Sequence, residues 1–396
     1  MKRRIRLRTW GATIALTLPL YAAGCGGPDD EFAKACSDQA SGTACTWLGV
    51  AGEEGYNGNG LHRLETQVNQ VQDLIFLPDG TAWFTDFQNF QVRKVLSDDT
   101  IESVVGWTDP VFPGDGPVDG IPAGGAPGAD WQLNHPTNLL LGDDGKVIIV
   151  AWHNHKLLSV DPETNWVEVI CGGGAGFKGD GEPAENTLFK QLQDAVRDEA
   201  GNLYILDQQN QRIRRIGTDG IMQTIAGTGE PGFSGDGGPA LDAEMHWGFG
   251  SNPNPSGGIT YANDRLYIAD SINHRIRMID LVSGTIDTIV GTGVEGFAGD
   301  GGPGIDAQIN NPHDLEIGPD GDLYIADTDN GAVRALNLES GIIRTVVGTG
   351  ELGLSEKEGL PATETQLKRP FGIAFDPVGN LYVMDTLNSR IVKVAK

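Results

Sequence analysis

The chain has 396 residues, with 54 Asp and Glu against 28 Lys and Arg and a formal net charge of −26. Such a surface repels phosphate backbones and anionic lipid headgroups, which excludes nucleic acid as a partner. None of its four cysteines has metal-ligand spacing.

Residues 1–24 read as a leader rather than as fold. Lys2, Arg3, Arg4, Arg6 and Arg8 form a basic start, and residues 13–23 form an apolar stretch too short to span a bilayer, the pattern of a cleaved signal peptide. Without those five bases the balance is 23 basic against 54 acidic residues, a net of −31. Residues 25–45, rich in Gly, Asp, Ser and Ala, read as a flexible tether. Cys36 and Cys45 flank a short stretch that an oxidising compartment would allow to bridge. Tyr21-Ala22-Ala23-Gly24-Cys25 resembles the lipobox of bacterial lipoproteins, with Ala22 in place of the usual Leu. That resemblance implies lipidation of Cys25 and an exported protein anchored to the cell envelope, on its periplasmic or outer side.

From residue 46 the chain repeats. Leu-Tyr-Ile-Ala-Asp occurs at 266–270 and again at 323–327, with degraded copies at 82–86, 147–151, 203–207 and 381–385. An Asn follows three residues later in each copy: Asn89, Asn154, Asn210, Asn273, Asn330 and Asn388. Within one copy, apolar runs at 315–317, 323–326, 333–338 and 342–347 are separated by turn residues, which predicts four short antiparallel strands. A unit this short buries no core alone, so the copies must stack. Six copies predict an all-β, six-bladed propeller over 46–396, a single domain and a monomer. The last copy stops after its third strand, while 46–52 matches 223–227, so the N-terminal segment should close the ring by pairing Trp47–Ala51 with Val392–Ala395.

Two insertions break the repeat. Residues 107–130 carry Trp107 and Phe112 and are followed by Trp131; residues 246–256 carry Trp247 and Phe249. Both precede innermost strands, which places them on one face, and their aromatics either contact a ligand or pack the loops down. Aligned positions at the entry to the innermost strands read Gln72-Asp73, Gln193-Asp194 and His313-Asp314 on alternate blades. Three carboxylates at one channel mouth repel unless something positive or protonated joins them. Two readings stay open: Asp73, Asp194 and Asp314 hold Ca²⁺ or another divalent cation with His313, or each caps backbone N–H groups of its neighbour. The Gly-Asp-Gly loops with Asp115, Asp180, Asp236 and Asp300, each preceded by an aromatic, read as scaffold, and Cys171 as an inert buried thiol.

The recurring Asp-x-x-Gly-x-Leu-Tyr-x-x-Asp-x-x-Asn-x-Arg string resembles NHL repeats. Gly-Phe-Ser-Gly-Asp-Gly-Gly-Pro-Ala at 232–240 is similar to a loop of bacterial NHL proteins and of the teneurin NHL domain. The resemblance implies the propeller; its members include binding modules and a few metal-dependent enzymes. Pro312-His313-Asp314 also resembles a string of the peptidylglycine amidating lyases, whose zinc histidines fall on alternate blades. Here two of those three positions are Gln72 and Gln193. The expectation is a non-catalytic binding module for a protein, peptide or glycan, with Trp107, Trp131, Trp247, Phe249, Gln72 and Gln193 at its surface. The alternative is a lactonase-like hydrolase or amidating-lyase-like enzyme using the Asp ring and His313.

Overall fold

The computed structural model describes residues 39–108, 113–117, 119–250 and 254–396. The leader, Cys25, Cys36 and Phe112 lie outside the described residues. Six antiparallel sheets follow one another along the chain. Their innermost strands are Val71–Phe76, Pro136–Leu141, Leu192–Arg197, Ile259–Ala262, Leu315–Ile317 and Gly372–Phe375, and they touch in that cyclic order around a central axis. These are the innermost strands of blades 1 to 6 of a six-bladed propeller, each blade built on four strands.

Both faces of a blade are covered by its neighbours, so the second strand is a continuous apolar run rather than an alternation. Leu323–Asp327 is buried at every position, as are Leu203–Asp207 and Leu381–Asp385. The apolar core divides into six clusters, one for each seam between adjacent blades. The seam between blades 6 and 1, for example, joins Leu48, Met384 and Ile391 to Val71, Leu74 and Phe84.

The N-terminal segment closes the ring. Thr43–Leu48 forms the fourth strand of blade 6, with Ala44 opposite Val394, Thr46 opposite Val392 and Leu48 opposite Ile391. The expected register, Trp47–Ala51, lies too far along the chain. Gly49 turns at φ +98°, and a Cβ there would collide with the carbonyl oxygen of Ser389, so pairing ends at Leu48 and uses the residues before it. Cys45 is buried in this strand and disulfide-bonded; its expected partner, Cys36, lies outside the described residues. Cys171 is buried with a free thiol that burial pushes up to about 12, which fits an inert core residue.

The loop ahead of a blade runs outward first. Ala126–Pro127, Gly238–Pro239 and Leu360–Pro361 each add a two-residue strand to the outer edge of the following blade, which covers it. Charge networks fix these loops to the turns after the second strands. Asp270 accepts from Asn273 Nδ2 at 2.8 Å and from the backbone N–H of His246 at 2.8 Å, and Arg277 pairs with both Asp270 and Asp236. Arg214 joins Asp207 to Asp180, and Arg334 joins Asp327 to Asp300, in the same way. The aspartates of the Gly-Asp-Gly loops are therefore scaffold. The arginine at the Arg275 position does not join this pair; it lies 3.8 Å over the ring of Phe233. The loop aromatics Phe177, Phe233 and Phe297 are consequently half-exposed lids on arginines, as Phe177 is over Arg212 at 4.2 Å.

Candidate functional site

Three cavities stack along the axis. The mouth, of about 280 Å³, is lined by Gln70, Gln72, Phe87, Gln88, His135, Trp152, His153, Asn254, Pro255, Arg369, Phe371 and Leu387. Below it a chamber of about 20 Å³ lies between Gln72, Thr137, Gln193, Gly257, His313 and Phe371 above and Asp73, Asn138, Asp194 and Asp314 beneath. Beyond the aspartates the innermost strands enclose a lower channel of about 340 Å³, walled by residues such as Ile75, Leu140 and Val196, with Glu316 among them.

The aspartates converge on the axis as expected, and their oxygens are engaged. Asp73 accepts from the backbone N–H of Leu74 at 2.7 Å and from that of Leu139, on the next blade, at 2.6 Å. Asp194 accepts from Ala195 and Ile259, and Asp314 from Leu315 and Ile373, all at 2.7 Å. Each carboxylate thus staples an odd-numbered blade to the even-numbered blade that follows it. At the matching positions of blades 4 and 6 a Cβ on Gly258 would collide with the His313 carbonyl oxygen, and one on Gly372 with that of Gln72. Gly at blades 4 and 6 lets the next backbone approach, whereas blade 2 carries Asn138, which donates Nδ2–H to Asp73 at 3.3 Å.

Among the described residues, no group of three or more His, Cys, Asp or Glu side chains is arranged to hold a metal ion. The Asp73, Asp194 and Asp314 carboxylates staple neighbouring blades, and His313 lies in the layer above them. His313 stacks on Phe371 at 4.3 Å and is held neutral, its pKa pushed down to about 3 by burial and then by Arg369.

Burial pushes the ring carboxyls up: Asp73 to about 6, and Asp194 to about 8 with a further push from Asp73. Asp314 is raised by burial, then by Asp194 and Asp73, and Glu316 goes to about 8 for the same reasons in the order burial, Asp73, Asp194. Arg197, the cation at the rim of this channel, is paired with Asp143 instead. Folded pKa values above the unfolded ones mean that the folded chain holds extra protons. Their stabilisation is complete below the unfolded values and is lost as pH rises through the folded ones. Unfolding free energy should therefore fall as pH rises from about 4 to about 8. In denaturant titrations Glu316→Gln should flatten that slope; an unchanged slope would contradict this assignment.

The aromatics divide. Trp131 and Trp247 are fully buried in the seams between blades 1 and 2 and between blades 3 and 4. They are corrected from ligand contacts to core: a seam widened by an insertion needs a large side chain to fill it. Trp247 also donates Nε1–H to the Ala269 carbonyl at 2.7 Å. Trp107 is half-buried, its carbonyl accepting from Gln91 Nε2, and Phe249 is 58% exposed beside Lys190. Gln72 and Gln193 face the axis as expected.

Sequence reasoning missed most of the mouth. Gln70, His135, Gln191, Asn311 and Arg369, each two residues before the chamber layer, all sit at positive φ between +51° and +59°. In these five blades a left-handed turn precedes the innermost strand, and its side chain varies from blade to blade. That variation was the available signal. His135 lies 2.9 Å from His153, Nδ1 to Nδ1, and Trp152 stacks on His153 at 4.0 Å. His135 is pushed down to about 4 by burial and by His153. Trp152 Nε1–H donates to Gln208 Oε1, while Gln208 Nε2 donates to the carbonyls of Trp247 and Asn254. Gln208 thereby seats Trp247 and Asn254, and Asn254 and Pro255 form one wall of the mouth.

This architecture defines the class, a six-bladed β-propeller, and residues 310–336 match the NHL repeat. The chain is 26% identical over 308 residues to "suppressor of quenching 1, chloroplastic" of Arabidopsis thaliana, covering 74% of this chain and 27% of that protein. It is 23% identical over 313 residues to human NHL repeat-containing protein 2, covering 70% of this chain and 40% of the relative. Teneurin-1 of Caenorhabditis elegans is 23% identical over 253 residues, covering 57% of this chain and 9% of that protein. The chain thus spans well under half the length of these relatives. Among solved structures, an auxiliary nutrient binding protein of Bacteroides ovatus superposes with a TM-score of 0.61 at 14% identity, over 89% of this chain and 76% of that one. That likeness is one of fold.

Proposed function

We propose that this propeller is a non-catalytic binding module and that its ligand sits in the mouth. The observation that carries the reading is the mouth itself, about 280 Å³ floored by Phe371 and walled by Trp152, Phe87, amide side chains, and Asn254 and Pro255. A concave site with aromatic walls and a few polar groups is the usual form of a ligand pocket. Its size suits one residue or sugar of a peptide or glycan. Binding propellers among its structural neighbours agree with this reading. Catalysis through the Asp ring is disfavoured, because each carboxylate is committed to two backbone N–H groups.

The test is capture on peptide and glycan arrays. His153→Ala combined with Gln88→Ala should remove the captured signal with little change in melting temperature, since both side chains are only half-buried. Val378→Ser, at a 71% exposed site on the turn at the opposite end of an innermost strand, should leave it intact. Capture that survives the double substitution would refute the reading.

We also propose that the protein is exported and held to the cell envelope through lipidated Cys25. No helix among the described residues is long and apolar enough to cross a membrane. A single lipid chain with a strongly acidic body gives reversible attachment at best, so stable anchoring would need more than one acyl chain. Cys25→Ser should shift the protein from the detergent phase to the aqueous phase of a two-phase separation; unchanged partitioning would remove the anchor.

A further inference from the structure

The chamber beneath the mouth contains more hydrogen-bonding capacity than the protein uses. Gln193 Oε1, Asn138 Oδ1 and Gln72 Nε2 are buried there with no protein partner, and Gln72 and Gln193 are only 4% and 7% exposed. Unpaired buried polar groups of this kind each cost about 1–3 kcal/mol unless something satisfies them. Oxygen and nitrogen ends of a Gln amide are interchangeable by rotation, so Gln72 can also present its oxygen. His313 adds the ring of a neutral imidazole. Gln72, Gln193 and His313 occupy equivalent positions on alternate blades, which gives the chamber a pseudo-threefold set of groups able to accept N–H bonds.

We propose that the chamber seats a primary ammonium group, and hence that the ligand of the mouth is a primary amine whose body lies against Phe371, Phe87 and Trp152. The proposal rests on the mouth reading and specifies its ligand. Four features support it together. An ammonium group has three N–H donors at threefold symmetry, matching Gln72, Gln193 and His313. A volume of about 20 Å³ admits one water-sized group and no more. Three carboxyls lie directly beneath, no Lys or Arg lines the chamber, and an ammonium group seated above them would favour their ionised form. The chamber shares Gln72 and Phe371 with the mouth, so a group held in it continues upward into that cavity. A bare metal ion is the poorer occupant, because the aspartate oxygens it would need already accept short bonds from backbone N–H groups, whereas the free amide groups suit a hydrogen-bond donor.

The experiment is calorimetric titration of the full chain with n-butylamine, 1-butanol and tetramethylammonium chloride at fixed ionic strength. Butylamine should bind at least about tenfold more tightly than the alcohol, which lacks the charge, and than the quaternary ion, which lacks N–H donors. Gln193→Leu should weaken butylamine by about tenfold or more, and Gln72→Leu should do the same as an independent check should the first variant fail to fold. Equal binding of tetramethylammonium, displacement of butylamine by equimolar potassium or calcium, or indifference to both Leu substitutions would each overturn the proposal. Failure here with array capture still sensitive to His153 and Gln88 would sink the ammonium assignment alone. Array capture indifferent to those residues would sink the mouth reading itself.

Discussion

A chain that begins after Gly52 is expected to lose cooperative unfolding. The deletion removes Ala44, Cys45 and Leu48, all no more than 2% exposed, and it strips the backbone partners of Ile391–Val394. It also removes Thr46, whose hydroxyl joins Arg390 to Glu358 behind the strand. A fully buried large apolar side chain contributes about 1.5–3 kcal/mol. With the lost ladder and the opened seam, the total should exceed about 5 kcal/mol, comparable with the whole stability of many domains. The freed edge at Arg390–Val394 should also make the truncated chain associate. Denaturant unfolding against a chain beginning at Gln39 checks this, and equal midpoints would mean that the ring holds without its closing strand.

Trp247→Ala should be the most damaging single substitution among the residues first assigned to the binding surface. The side chain is fully buried in the seam of blades 3 and 4, donates to Ala269, and meets Gly257 so closely that a Cβ there would strike it. Truncating a buried Trp costs about 3–5 kcal/mol. Phe249→Ala, two residues away and largely exposed, should change stability by no more than about 0.5 kcal/mol. Thermal melts of the pair should therefore separate widely. Similar melting temperatures would return Trp247 to the surface.

The fold was legible because each repeat states it several times over. Strand length, the turn after Asp327 and its equivalents, and the missing outer strand at the C-terminal end all pointed to one closed ring, and the structure has it. The register of closure was less visible, since it depends on where Gly49 meets Ser389, a contact made only once the ring is formed. Convergence of Asp73, Asp194 and Asp314 could be read from alignment of the copies. Their occupation by backbone N–H groups could not, because Leu139, Ile259 and Ile373 belong to other blades.

Aromatic residues misled for a physical reason. An insertion that carries a Trp looks the same in sequence whether the ring faces solvent or fills the gap that the insertion opens. Trp131 and Trp247 fill gaps, whereas Trp152, in a turn of ordinary length, lines the mouth. His135 and Arg369 escaped because a left-handed turn before the innermost strand aims them inward, and that backbone geometry has no fixed residue type to announce it.

The most direct test of the mouth as the working surface is hydrogen–deuterium exchange with and without the strongest-binding array member. Protection should appear at residues 70–72, 87–88, 134–135, 152–153, 254–257 and 369–371, the segments that frame the cavity. Protection confined to the opposite turns at 78–80, 319–321 and 376–379, or to the outer edges of the blades, would contradict the account.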